Sequence, residues 1–211
     1  MACSPVCRFL RNTEVDMMIR HSAIELDGRE IEVLESTGNG APVFVCHGNS
    51  SAAASVVSLL RSELATQLRL IAISFPGHGG PSRARDPDSE YNVEALGRTP
   101  ARVIKRYQSP RYWLVGHSLG GHALIEALEA LPGAMGLVLI AAPPVSPATM
   151  GQAFHADPSG GRLFKDNLDD DDVRQLASCF TDIANASIIS TLMANIRRAD
   201  PRFRKSLVLL C

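Results

Sequence analysis

The stretch "WLVGHSLGGHALIEAL", residues 113–128, puts one serine at the corner between an apolar run and an amphipathic one. "YWLV" has the unbroken apolar character of a strand covered on both faces, and "HALIEALEAL" has the apolar spacing of a helix. A chain that turns from strand to helix at a single residue forces that residue into a strained backbone conformation. Small residues two positions before and two after then avoid clashes, and Gly116 and Gly120 flank Ser118 in that way. The strain holds a hydroxyl at the carboxyl end of the sheet, beside helix-terminal N–H groups that can stabilise an oxyanion. A glycine-rich turn with an incidental serine is the alternative, and the flanking strand and helix weigh against it.

Outward from this corner, apolar runs alternate with helical stretches. "PVFVC" (42–46), "LRLIAISF" (68–75), "RYWLVG" (111–116) and "GLVLIAA" (136–142) read as strands. Between them, helices are predicted over 52–68, 92–107 and about 119–131, with Pro100 expected to kink or divide the second. Such alternation implies parallel crossovers and a sheet covered on both faces, an α/β fold with a mostly parallel sheet. The domain opens with an N-terminal β-hairpin, because Asp27-Gly28 between "IRHSAIEL" and "REIEVLES" favours a two-residue turn. After Pro143-Pro144 helical stretches continue without a clear strand before the last few residues, which is the pattern of a helical lid. The acidic run Asp169–Asp172 suits a helix N-terminus and lacks the spacing of a calcium loop.

Composition removes several partners. A chain of 211 residues suits one domain, or one domain with an inserted lid, and a net charge of −1 gives no reason to expect nucleic acid or an anionic membrane surface. No run approaches membrane-spanning length, and the N-terminal segment is too interrupted by polar residues for a signal peptide. Residues 1–17 are expected to be a loose extension, with translation starting at Met17 or Met18 as an alternative. Five cysteines (Cys3, Cys7, Cys46, Cys179, Cys211) without CxxC spacing or a Cys/His cluster argue against a disulfide framework and zinc, so a reducing cytoplasm is the expected setting. No cofactor and no metal are expected.

An oxyanion hole needs a second backbone N–H from another loop, and His47-Gly48-Asn49 follows the strand "PVFVC" where that donor should sit. In order along the chain, "CHGNSS", "SFPGHGGPS" and "GHSLGG" resemble the α/β-hydrolase superfamily over roughly residues 20–142. The resemblance implies that Ser118 is the nucleophile, that the amides of Asn49 and Leu119 form the oxyanion hole, and that a lid follows the strand at 136–142. One departure is Ser74-Phe75 before Pro76-Gly77-His78-Gly79, where many members carry Asp. His78 reads as a structural loop residue and His117 as packing.

The family order is nucleophile, then acid, then histidine, and downstream of Ser118 only His122 and His155 occur. Neither has the family position: His122 lies one turn into the helix after the corner, and His155 falls in the lid. The sequence stops at "KSLVLLC", where roughly 50 more residues would build two further strand-helix units. The expectation is therefore a C-terminally truncated hydrolase. It has a loose extension (1–17), a core (18–142) with its last strands missing, and a lid or cap segment (143–211). The expected function is cleavage of an ester or other acyl bond in a small, apolar substrate. A catalytically inactive relative that binds a small hydrophobic ligand is the alternative. Ser118 argues against haloalkane and epoxide chemistry, which uses Asp at this corner. Oligomeric state is not legible.

Overall fold

Asp27 and Gly28 both take positive φ, 54° and 73°, the left-handed pair that a two-residue hairpin turn requires. They fold Arg20–Leu26 (β1) back on Arg29–Glu35 (β2), antiparallel, with Ile24 opposite Ile31. The computed structural model describes residues 19–80, 82–144, 160–181 and 185–208, so the N-terminal extension lies outside the described residues. Pro42–Cys46 (β3), Arg69–Ile73 (β4), Tyr112–His117 (β5) and Ala134–Ile140 (β6) complete one six-stranded sheet in the order β1-β2-β4-β3-β5-β6. The pairs β4-β3, β3-β5 and β5-β6 are parallel, and β2 joins β4 antiparallel.

Successive residues of β3 serve opposite faces. Phe44 and Cys46 enter a cluster with Leu96, Ile104, Ala123 and Leu124, while Val43 and Val45 enter another with Leu60, Ala65 and Leu70. The first face is covered by Val93–Tyr107 (α4) and Leu119–Ala127 (α5). The second is covered by a 3₁₀ turn at Ala53–Val56 and two short helices, Val57–Leu60 (α1) and Leu64–Gln67 (α2). Pro87–Glu90 (α3) precedes α4.

Three expectations about elements change. The single helix expected over 52–68 is broken between Leu60 and Leu64, where the Ser62 hydroxyl (2.7 Å) and N–H (3.1 Å) both bond back to the Leu59 carbonyl. Local bonds of this kind compete with helix propagation. Pro100 neither divides nor ends α4, which runs unbroken through it. The Asn92 side chain caps its start by accepting the Ala95 N–H (2.8 Å), and Gly97 lets α5 approach closely. The C-terminal stretch is helical through Val208: Pro201 begins Pro201–Val208 (α8), and the Asp200 side chain accepts the Arg202 N–H (3.1 Å).

After a 3₁₀ turn at Gly160–Phe164, Asp170–Cys179 (α6) and Ala186–Arg198 (α7) pack together through Val173, Leu176, Ala177 and Ile196. The acidic run is a capping box: Asp169 accepts the Asp172 N–H (2.8 Å) and Asp172 accepts the Asp169 N–H (3.3 Å). Asp172 also binds Arg162 (3.0 Å) and Lys165. Among the described residues no helix is long and apolar enough to cross a membrane.

Among the described residues β6 is an edge strand, and Val138, Leu139 and Ile140 are 50%, 43% and 49% exposed beside a half-exposed Trp113. An uncovered apolar edge templates pairing with another chain. Light scattering is expected to detect association at micromolar concentration, and Val138→Lys to suppress it; a monomer unaffected by the substitution contradicts this.

Candidate active site

Ser118 ends β5 and starts α5 with φ 50° and ψ −119°, a conformation that L residues adopt only at a cost. Three backbone bonds hold it there. The Ser118 N–H donates to the Ile140 carbonyl of β6 (2.8 Å), and its carbonyl accepts the N–H groups of Gly121 (2.9 Å) and His122 (3.3 Å). The hydroxyl makes no capping bond to the helix and the residue is half-buried.

The flanking glycines are steric requirements. A methyl on Gly116 would lie 2.4 Å from the Gly121 Cα, and one on Gly120 2.4 Å from the Cys46 carbonyl oxygen. Both obstacles are backbone, so neither can swing aside. Gly116→Ala is expected to cost about 3 kcal/mol or more. Urea unfolding measures it, and a loss below about 1 kcal/mol would show that the corner relaxes easily.

A methyl on Gly48 would lie 3.3 Å from the Ser118 Cβ and 2.8 Å from the His117 Nδ1, so the backbone leading into Asn49 runs directly against the corner. The Asn49 side chain is occupied elsewhere. Its Nδ2 donates to the Leu163 carbonyl (2.9 Å) and its Oδ1 accepts the Ser50 hydroxyl (3.1 Å). Leu119 is the first residue of α5, with its side chain buried in the core. Its N–H is among the four that a helix start leaves without intrahelical partners. Gly48, the residue before Asn49, and Ser118 thus come together at the carboxyl ends of β3 and β5.

The loop after β3 is tied to the loop after β4 by two buried histidines. The Phe75 N–H donates to His47 Nε2 (3.0 Å), and the Ser50 N–H donates to His78 Nε2 (3.3 Å). An N–H can only donate, so both Nε2 atoms are unprotonated and each Nδ1 carries the proton. The Nδ1 groups donate to the Gly48 carbonyl (2.7 Å) and the Pro76 carbonyl (3.3 Å). Burial is the main force keeping the imidazoles neutral. It holds His47 well below its ordinary value and His78 at about 4. His78 is a structural loop residue, as expected. His117 packs its ring beside Gly48, where an added methyl would lie 2.8 Å from its Nδ1, and desolvation lowers the imidazole although the residue as a whole is exposed. His122 is half-buried on α5, its imidazole lowered by desolvation, and His155 lies outside the described residues.

The C-terminal helices complete this end of the molecule. Phe203 sets its ring 4.3 Å from that of His78. Buried Arg204 donates to the carbonyls of Lys165 (2.8 Å) and Asp166 (3.0 Å), with its Nη1 3.5 Å from the Ser50 Oγ. Asp200, fully buried, accepts from the Tyr91 hydroxyl (2.9 Å) and Arg202 (2.7 Å), and its N–H donates to the Gly77 carbonyl (2.7 Å). Burial pushes that carboxyl up, but these bonds outweigh it and hold the group below its ordinary value. Residues missed in the sequence are therefore Asp200, Phe203 and Arg204, and no motif there signals their partners. Among the described residues no group of His, Cys, Asp and Glu is arranged to hold a metal ion.

A family model described as "Alpha/beta hydrolase family" matches residues 43–204. The 2-succinyl-6-hydroxy-2,4-cyclohexadiene-1-carboxylate synthase of Escherichia fergusonii is 28% identical over 156 residues, 64% of this chain and 60% of that protein. A "serine hydrolase-like protein" of Danio rerio is 34% identical over 87 residues, 40% of this chain and 25% of that one. The structure of the N-acyl homoserine lactonase AidH, complexed with N-butanoyl homoserine, superposes with a TM-score of 0.81 at 32% identity. That match covers 89% of this chain and 68% of the lactonase. The chain thus spans 60% or less of the curated relatives it matches. With the strand-to-helix corner at Ser118, the parallel strands and the match over 43–204, the chain belongs to the alpha/beta hydrolase family.

Proposed function

We propose that the chain is built for nucleophilic cleavage of an ester or other acyl bond. Ser118 is the nucleophile, and the amides of Asn49 and Leu119 receive the negative oxygen. The observation that carries this is the strained Ser118 corner lying against the Gly48-Asn49 backbone, its hydroxyl not turned into the helix. Attack forms a bond from the Ser118 Oγ to the acyl carbon and shifts an electron pair to the carbonyl oxygen. The hydroxyl proton must go to a base, which returns it to the departing oxygen as the adduct collapses to an acyl-Ser118, and water then hydrolyses that ester. Of the described histidines at this end, His47 and His78 have both ring nitrogens committed to hydrogen bonds, so neither is that base.

The proposed substrate is a small apolar ester or lactone, and similarity to a lactonase with N-butanoyl homoserine bound supports an acyl chain of modest length. Residues 18–142 are proposed as the core, 143–211 as a cap over the carboxyl-end loops, and 1–17 as an extension. Two free thiols, Cys46 and Cys179, support a reducing, cytoplasmic setting.

Because no described hydrogen bond joins the Ser118 hydroxyl to a base, added imidazole tests the proposal. It is expected to raise hydrolysis of a p-nitrophenyl ester above the reaction of imidazole with ester alone, and Ser118→Ala to remove that increment. An increment that survives Ser118→Ala overturns the assignment. The committed histidines also favour a second reading, an inactive hydrolase-like protein that binds a small hydrophobic ligand. Its signature is no imidazole increment with Ser118 intact, yet a rise in Tm with an apolar acyl ligand.

A further inference from the structure

We infer that His47 and His78 form a reciprocal clamp that sets the position of the Asn49 amide, making both histidines positioning residues for the oxyanion hole. The inference rests on the proposal that this amide receives the oxyanion. Each histidine sits in one loop and accepts a backbone N–H from the other: His47, after β3, takes Phe75, while His78, after β4, takes Ser50. The bonds cross, with rings 5.1 Å apart, so neither loop can shift along the sheet edge without breaking both. His47 also donates to the Gly48 carbonyl (2.7 Å), and that carbonyl belongs to the same peptide unit as the Asn49 N–H. Its orientation therefore fixes the direction in which the Asn49 N–H points, because the peptide unit is planar. Ser50, the next residue, is held at φ 55°, where a non-glycine residue persists only if its surroundings over-determine it. His78 supplies that constraint from one side. On another, the Arg204 Nη1 lies 3.5 Å from the Ser50 Oγ, and the Phe203 ring backs His78. Ser50 is 1% exposed and His47 and His78 2% each, so water cannot stand in for a lost partner.

The clamp predicts a separation between positioning and binding. In His78→Leu, which keeps an apolar ring-sized volume but no acceptor, imidazole-rescued ester turnover is expected to fall about 10- to 100-fold in kcat. That is somewhat less than the loss from deleting an oxyanion donor outright. KM should stay within about twofold, because substrate binding does not use this amide in the ground state. His78→Gln, whose side-chain oxygen can accept the Ser50 N–H, should recover most of the rate. Amide hydrogen exchange reads the clamp directly: the Ser50 amide in His78→Leu and the Phe75 amide in His47→Leu should each exchange at least about tenfold faster than in the unsubstituted chain. Rescued turnover that does not depend on Ser118 overturns the proposed site and the catalytic role of the clamp with it. Turnover that depends on Ser118 but changes less than about twofold in His78→Leu, or changes through KM alone, overturns the clamp and leaves the site standing. If His78→Leu fails to fold, exchange in the unsubstituted chain decides. Protected Ser50 and Phe75 amides support the clamp, and exchange at free-loop rates at either position overturns it.

Discussion

Without added imidazole, this chain is expected to hydrolyse a short p-nitrophenyl ester about 10³–10⁴-fold faster than water alone, and on the order of 10⁶-fold more slowly than an intact serine triad. The size of the deficit follows from how a triad works. Removing the base from a serine hydrolase costs nearly as much as removing all three members, since the serine hydroxyl is a weak nucleophile until its proton has somewhere to go. What survives is binding of the substrate and stabilisation of the oxyanion, the second of which the proposal gives to the amides of Asn49 and Leu119. The residual rate should not change in His122→Ala or His155→Ala. His122 rides on α5, whose first turn bonds its N–H back to the Ser118 carbonyl, and its imidazole is partly desolvated there. Full hydrolase rates that collapse with His155→Ala would mean that His155 does the base's work, and the proposed site would need it as a further member.

Legibility followed the range of the determining contacts. The corner could be read because its causes are local: Gly116 and Gly120 meet backbone within a few residues, or on the adjacent strand. Asp27-Gly28 gave the hairpin for the same reason, two residues whose own φ values make the turn. Pro100 misled because its local cost is real, yet Leu96, Val103 and Ile104 bury one side of α4 in the core on both sides of it. The helix expected over 52–68 failed in the opposite direction. There an apolar pattern suggests continuity, and between the two short helices the Ser62 hydroxyl bonds back to the main chain instead. The clamp was out of reach altogether. Its bonds join residues 28 apart, and its backing by Phe203 and Arg204 comes from a helix that begins beyond residue 200. His47 and His78 were visible as motif members, but nothing in the spacing says which N–H each accepts.

Acid should destabilise the fold from near neutrality, before the carboxylates begin to titrate. His78 takes up a proton only at about pH 4 in the folded chain, against an ordinary value of 6.5. Between those values the unfolded chain binds a proton that the folded chain refuses, and stability falls wherever the unfolded state binds more protons. The loss therefore begins as pH drops through 6.5, reaches about 2 kcal/mol by pH 5, and saturates near 3 kcal/mol below pH 4. Above 6.5 the group contributes no pH dependence. His47, held lower still, adds a loss of the same sign that continues to lower pH. The groups facing the pair do not cancel it. Burial dominates for both, the Arg204 guanidinium disfavours charge on His78, and the Asp200 carboxylate favours it only as a lesser influence. Against a typical total of about 5–15 kcal/mol, the two histidines together remove a large share. Urea unfolding between about pH 7 and pH 4.5 measures the slope, and His78→Gln should flatten it by roughly half while leaving the midpoint at neutral pH nearly in place. A slope already flat in the unsubstituted chain over this range, or one that His78→Gln leaves unchanged, would mean that these imidazoles reach water easily. They could not then be the neutral acceptors that hold Ser50 and Phe75.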